Sequence, residues 1–236
     1  MRRFYAPVES FENDRVLLGS EEARHLRDVL RLRVGDTISV FDGKGSEHKC
    51  RVDEIGKKSA VAIVEEQIQP LSPESPLDLT LYAAVLKGEK FDLVVQKAVE
   101  LGVRRLIPLQ TIRCDVKTAN RLERWRRIAL EATKQSGRAA IMDISETAAL
   151  SDVITRAETN DIVMFSERNG NPMSELSSSD IMTAIVGPEG GWDDQELEAA
   201  TQAGVQIITL RGRILRAETA AIAVTAILQN RFGDLN

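Results

Sequence analysis

The sequence predicts an α/β protein in two parts: a small, mostly β N-terminal domain, then a larger domain whose parallel sheet is covered by helices. Three observations carry this expectation. Gln69-Pro-Leu-Ser-Pro-Glu-Ser-Pro76 crowds prolines into a short polar stretch that neither a helix nor a central strand tolerates, so residues 69–76 read as a linker. Before it, short β-type runs are separated by turn residues. After it, strand and helix patterns alternate to the end of the chain. The domains expected are therefore 1–70 and 77–236.

In the first part, Ser20 is placed to cap a helix over Glu21–Arg31, with Ala23, Leu26 and Leu30 at apolar helical spacing. Strands are expected at Thr37–Phe41, His48–Val52 and Ala60–Val64, and Asp42-Gly-Lys-Gly45 turns between the first two. This domain is barrel-like, and too small and too poor in acid–base clusters to be catalytic.

In the second part, strands are expected at Leu79–Leu86, Arg105–Leu109, Asp161–Phe165, Met182–Val186 and Gln206–Leu210. Helices are expected at Phe91–Leu101 with Gly102 at C′, at Ala119–Ser136 stopped by Gly137, from an Asp193 cap to Ala203, and at Ala217–Asn230. Asp193-Asp-Gln-Glu196 has capping-box spacing, which gives Glu196 a structural role.

Composition narrows the function. The chain has 236 residues, 43% of them hydrophobic, enough for a real core. No apolar run reaches the roughly 20 residues that span a bilayer. The opening Met1-Arg-Arg-Phe-Tyr-Ala-Pro lacks the apolar core of a signal peptide. Cys50 and Cys114 lie far apart, which suits a reduced cytoplasmic protein. With His25 and His48 unclustered, no metal site is expected, and each histidine reads as a surface or packing residue.

The net charge of −5 argues against indiscriminate binding of nucleic acid by the whole chain. Two basic stripes nevertheless suit a local grip on a polyanion: Arg24, Arg27, Arg31 and Arg33, and then Arg113, Lys117, Arg121, Arg124, Arg126, Arg127, Lys134 and Arg138. A solvated helix face explains either stripe taken alone.

Two glycine-rich stretches carry the chemistry. Ile185-Val-Gly-Pro-Glu-Gly-Gly-Trp192 and Leu210-Arg-Gly-Arg-Ile-Leu-Arg-Ala-Glu-Thr-Ala220 each follow an apolar β-type run and precede a helical pattern. That places bare backbone where a strand ends and a helix begins, the usual ligand position in an α/β sheet. Neither is a dinucleotide fingerprint or a P-loop, so a nicotinamide oxidoreductase is disfavoured. Glu189, inside a ligand turn, suits an amine, a hydroxyl pair or a positive charge. Ile214 and Leu215 beside exposed amides suit an adenine. Glu218 is stabilised by the helix dipole at that N-terminus; Arg216 is disfavoured there and so serves an anionic partner.

These stretches, together with Met1-Arg-Arg-Phe, His25-Leu-Arg-Asp-Val-Leu-Arg31, Val34-Gly-Asp36, Lys87-Gly-Glu-Lys90, Gln96-Lys-Ala-Val-Glu-Leu-Gly-Val103 and Glu131-Ala-Thr-Lys-Gln-Ser-Gly-Arg138, give a full-length resemblance. The chain resembles the RsmE-type methyltransferases of the SPOUT superfamily, which methylate N3 of one uridine in the small-subunit (16S) ribosomal RNA of bacteria. The resemblance implies a PUA-like N-terminal β-barrel that docks RNA, and a C-terminal SPOUT-type α/β domain whose mostly parallel sheet contains a trefoil knot, a rare exception to unknotted topology. It also implies a homodimer acting on ribosomal RNA or the small subunit.

By the same resemblance S-adenosyl-L-methionine is the cofactor, held by Phe165, Ser166, Gly187, Pro188, Glu189, Gly190, Gly191, Leu210, Gly212, Ile214, Leu215 and Thr219. Arg216 and Glu218 are the implied catalytic pair, Glu218 holding Arg216 or else taking the uridine proton. Arg2, Arg3, Arg24, Arg27, Arg31, Arg124, Arg127, Gln135 and Arg138 are the implied RNA contacts. The chain departs from the family in reading Leu210-Arg-Gly-Arg213 where Leu-Gly-x-Arg is usual, and in lacking a proline after Arg138. A ribose 2′-O-methyltransferase of the same superfamily and a non-catalytic RNA-binding assembly factor are the alternatives.

Overall fold

The computed structural model describes residues 1–114, 121–155 and 162–235. Lys117, Ala119 and Asp161, which enter the expectations above, lie outside these residues. The chain forms two compact units: Met1–Glu74 with Thr133–Ile141, and Ser75–Ala132 with Met142–Asn236.

The first unit contains β1 (Arg2–Tyr5), β2 (Phe11–Glu12), β3 (Arg15–Leu18), α1 (Ser20–Arg24), β4 (Thr37–Phe41), β5 (Glu47–Ile55) and β6 (Ala60–Ile68). These strands form one sheet in the order β1-β4-β5-β6-β3-β2. β1 runs parallel to β4, and the remaining neighbours are antiparallel. Alternate residues point inward, so Phe4, Val16, Leu18, Ile38, Val40, Cys50, Val52, Ala60 and Ala62 share a core with Ala23 and Leu26. Each fully buried side chain of Leu or Val size contributes roughly 1.5–3 kcal/mol.

The expected helix is shorter than its apolar spacing suggested. Gly19, not Ser20, is its N-cap, and after Arg24 the turns widen, with the Leu30 N–H reaching His25 O at 2.9 Å. The strands around His48 and Ala60 run further than expected, because Glu47, Glu54, Glu66 and Gln67 pair along the ladder although they are polar, with Asp53 and Glu65 at its irregularities.

Residues 133–141 join this unit by polar contacts. Arg3 donates to Thr133 O and Lys134 O in the last turn of the helix that ends at Ser136, at 3.1 and 3.2 Å, and to Arg138 O beyond it at 2.6 Å. Its remaining donors take Glu47 at 2.9 and 3.0 Å. Arg138 donates to Glu74 at 2.6 Å, and Lys134 pairs with Glu22.

The second unit contains β7 (Asp78–Ala84), α2 (Lys90–Glu100), β8 (Arg105–Gln110), α3 (Leu122–Ser136, its end in the first unit), β9 (Asp143–Ile144), β10 (Ala148–Ala149), α4 (Leu150–Ile154), β11 (Ile162–Ser166), β12 (Asn171–Pro172), β13 (Ile181–Val186), α5 (Asp194–Gln202), β14 (Gln206–Thr209) and α6 (Ala217–Phe232). The sheet order is β10-β8-β7-β13-β11-β14-β12, with β9 beside β8, and every pairing is parallel. β13 lies between β7 and β11, two strands that precede it in the chain.

The apolar runs of these strands divide between two faces, as a sheet covered on both sides requires. Leu79, Leu81, Val163, Phe165, Met182 and Ala184 pack with Val94 and Val95 of α2, Trp125 of α3 and Val224 of α6. Met164 and Ile185 point the other way, onto Leu150, Val153 and Ile154 of α4 and onto Leu197 of α5. Trp125 is fully buried; its ring lies 4.5 Å from that of Phe91, and its Nε1 donates to Asp92 at 3.1 Å. Among the described residues no helix is long and apolar enough to cross a membrane.

Candidate active site

The neighbouring strands β13, β11 and β14 end on the same side of the sheet, and the loops that leave them enclose a cavity of about 340 Å³. Such a position at the carboxyl ends of parallel strands is where open α/β sheets bind ligands.

The first wall is the turn after β13. Gly191 N–H donates to Pro188 O at 3.0 Å, and Gly191 takes φ +68°, a conformation that favours glycine. Gly187 is small for a different reason: a Cβ there would stand 2.8 Å from Cε2 of Trp192. Trp192 is itself fully buried, and its Nε1 donates to Phe165 O at 2.8 Å, fastening the turn to the end of β11.

The turn is also held from outside. Asp193 accepts from Gln195 N at 3.1 Å, and Glu196 accepts from Asp193 N at 3.0 Å, the reciprocal cap expected from the spacing. The other oxygen of Glu196 accepts from Ile112 N at 2.8 Å, and Arg113 donates to Gly190 O at 3.0 Å and to Asp193 at 3.2 Å. The Gln195 amide, helped by the Arg113 guanidinium, holds the Asp193 carboxyl below the usual aspartate value.

The second wall is the segment from Leu210 to Leu215, where Gly212 has φ +113°. Ile214 is 88% exposed and Leu215 38%, so two large apolar side chains stand uncovered at the cavity. Arg216 occupies the N-cap of α6 with no side-chain hydrogen bond to the helix. The third wall is the end of β11, with Phe165, Ser166 and Glu167.

The structure therefore brings Phe165, Ser166, Gly187, Pro188, Glu189, Gly190, Gly191, Leu210, Gly212, Ile214 and Leu215 to one cavity, and adds Glu167, Trp192 and Arg213. Thr219 is exposed on α6 and does not line it.

Arg216 and Glu218 stand outside the lining but beside it, around Lys90. The ammonium of Lys90 pairs with Glu189, which raises it above the ordinary lysine value; Glu218 adds to that effect and Arg216 opposes it. Among the described residues no ion pair joins Arg216 to Glu218, and Glu218 Oε2 is buried without a hydrogen-bond partner. Lys90 stands out in the sequence only as part of a motif, and nothing local in Lys87-Gly-Glu-Lys90 reveals its partner far along the chain.

The basic residues are not brought together as one set. In the first unit Arg2, Arg24, Arg31 and Gln135 are exposed. Arg27 is paired with Asp28 through two contacts of 2.7 Å. Arg3 and Arg138 are committed inward, the side chain of Arg138 being only 5% exposed. In the second unit Arg127 is exposed, whereas Arg124 donates to Asp92 at 2.5 Å and to Glu89 at 3.2 Å.

The larger unit is a parallel α/β domain with a ligand position at its strand ends, and the family matches give its class as RNA methyltransferase. Residues 73–229 match the RNA methyltransferase domain family, and residues 17–65 match the RNA methyltransferase PUA domain family. The chain belongs to the ribosomal RNA small subunit methyltransferase E family. It is 36% identical over 236 positions to ribosomal RNA small subunit methyltransferase E of Rickettsia conorii, covering 97% of this chain and 94% of that protein. The crystal structure of the Neisseria gonorrhoeae ribosomal RNA small subunit methyltransferase E bound to S-adenosylmethionine is similar over 100% of both chains, with 35% identity and a TM-score of 0.92. A Legionella pneumophila protein solved with bound S-adenosylmethionine gives 30% identity and a TM-score of 0.90 over 99% of this chain and 98% of that one.

Proposed function

We propose that this protein transfers the methyl group of S-adenosylmethionine to N3 of one uridine in small-subunit ribosomal RNA. The observation that carries the reading is the cavity at the ends of β11, β13 and β14, in a chain 35% identical along its full length to a methyltransferase solved with that cofactor.

The residues fit the cofactor. A volume of about 340 Å³ lies within the roughly 300–1,000 Å³ range of small-molecule sites. Uncovered Ile214 and Leu215 offer an apolar face for an adenine, and the Gly187–Gly191 turn offers backbone unobstructed by side chains. When bound, S-adenosylmethionine supplies an electrophilic methyl carbon, so catalysis rests mainly on alignment.

The chain's own residues supply the rest. Uridine N3 holds its proton above neutral pH, so an acceptor and a stabiliser of the resulting anion are needed. Arg216, exposed and beside the cavity, stabilises negative charge on the uracil carbonyls. Glu218 Oε2, buried and without a partner among the described residues, takes the N3 proton. Because no ion pair joins the two, this division of labour fits the geometry better than Glu218 acting as a brace for Arg216.

The target base reaches the site flipped from its stack, and exposed Arg2, Arg24, Arg31, Arg127 and Gln135 contact the surrounding phosphates. A homodimer is supported by α6, which leaves Ile222, Ala223, Ala226 and Ile227 incompletely covered. The laying of β13 between β7 and β11 supports the trefoil knot. The reading entails a cytoplasmic protein.

Incubation of undermethylated ribosomal particles or free ribosomal RNA with labelled S-adenosylmethionine tests the proposal. Label recovered as 3-methyluridine is the expected result. Label in an alkali-resistant dinucleotide indicates ribose methylation and overturns the assigned target atom. No cofactor binding at millimolar concentration overturns the enzymatic reading. Arg216→Ala is expected to bind cofactor normally and lose methylation; full activity in that variant removes Arg216 from the mechanism.

A further inference from the structure

Glu167, which no motif of the sequence marks, lines the cavity with a carboxylate that accepts no hydrogen bond among the described residues. It follows Ser166 at the end of β11 and lines the cavity wall. Its Oε1 stands 3.1 Å from the point that a Cβ on Gly191 would occupy, so the carboxylate and the glycine turn face each other.

The two cavity glutamates differ in what they already hold. Glu189 is paired with Lys90. Glu167 accepts no hydrogen bond among the described residues, and its charged neighbour is Arg168 Nε at 3.8 Å. The NH2 group of Arg168 donates elsewhere, to Trp192 O and Asp194 Oδ1 at 2.8 Å each.

A carboxylate whose two oxygens accept no hydrogen bond, Oε1 having only the longer ion-pair contact with Arg168, can take a ligand presenting two donors side by side. We propose that Glu167 binds the 2′- and 3′-hydroxyls of the cofactor's ribose, one on each oxygen; this rests on the S-adenosylmethionine reading above. Two arguments select the diol over the cofactor's positive groups. An acid at the end of a parallel strand, beside a glycine turn, is where α/β proteins recognise a ribose diol. The guanidinium of Arg168 also offsets the charge of Glu167, which weakens its hold on a sulfonium or ammonium and leaves its capacity to accept O–H donors intact.

The test is calorimetric binding, with no turnover. The probes are S-adenosylhomocysteine, its 2′-deoxy and 3′-deoxy forms, and 5′-methylthioadenosine, which lacks the amino-acid end. Glu167→Ala is expected to weaken S-adenosylhomocysteine and 5′-methylthioadenosine by the same factor, about tenfold to a hundredfold. Removing either hydroxyl should cost the unsubstituted protein a comparable factor and the variant little.

A loss confined to S-adenosylhomocysteine means that Glu167 serves the amino-acid end, and overturns the proposal. Unchanged affinity for both ligands, or equal deoxy penalties in the two proteins, overturns it as well. Failure of the unsubstituted protein to bind S-adenosylhomocysteine overturns the cofactor reading itself. Glu167→Gln, which keeps the side-chain shape, supports the inference with the same pattern of losses and overturns it with none, should the alanine variant not fold.

Discussion

Lys90 and Glu189, 99 positions apart in the sequence, form an ion pair that ties the first turn of α2 to the glycine turn after β13. The charges of Glu218 and Arg216 also act on Lys90, the first favouring its ammonium and the second opposing it.

The hydrogen bond with Glu189 holds the pKa of Lys90 above the ordinary lysine value. A raised value in the folded state means that the pair contributes fully below the ordinary lysine range, and is lost as pH rises through the folded value. Cofactor affinity is therefore expected to stay level, so far as this pair is concerned, between about pH 6 and 9. Lys90→Met should lower it several-fold, most strongly at low salt. Calorimetry at two salt concentrations checks this; unaltered affinity at low salt excludes the pair from cofactor binding.

Gly187→Ala is expected to destabilise the protein by about 1–3 kcal/mol, because the new methyl group meets the ring of Trp192 at 2.8 Å. That ring is fixed to Phe165 O, so it cannot withdraw without loosening the third wall. Urea melts report the stability and calorimetry the accompanying loss of cofactor affinity. A variant as stable as the parent shows that Trp192 yields freely.

Arg138 and Arg127 separate architecture from RNA contact. Removing one partner of a buried pair is costly, and Arg138→Ala should destabilise by about 3 kcal/mol, at the low end of that range because Glu74 keeps access to water. Arg127→Ala should leave the melt unchanged and lower RNA affinity, reducing the salt slope by about 1. The reverse pattern would place Arg138 among the RNA contacts.

The cap of α5 gives an acid-side test. The Asp193 carboxyl is held below its ordinary 3.8 by the Gln195 amide. A lowered value in the folded state means that its contribution is present above 3.8 and is lost as pH falls through the folded value. Asp193→Ala should therefore lose more stability at pH 7 than at about pH 2, measured by denaturant melts at each pH.

Local patterns were legible wherever the cause lay within a few residues. The Asp193–Glu196 cap, the positive φ of Gly102 and Gly191, and the strand–glycine–helix order at the cavity follow from neighbours in the chain. Features made by residues far apart were not. Glu196 also accepts the Ile112 amide, Lys90 holds Glu189, and Glu167 faces Gly191 only because β11 and β13 are paired. Arg3 and Arg138 looked like free cations, since a string of residues does not reveal which carbonyls and carboxylates will surround a guanidinium. Ile214 and Leu215, apolar side chains that break the polar pattern of a surface loop, line the cavity.

The walls of the cavity are all drawn from residues between 165 and 224, and β13 enters between two strands that precede it. The first and third walls are joined by the Trp192–Phe165 hydrogen bond, and the second, Leu210–Leu215, follows both in the chain. The cavity is therefore the product of one continuous stretch of chain, whose three strands β11, β13 and β14 lie side by side in the sheet.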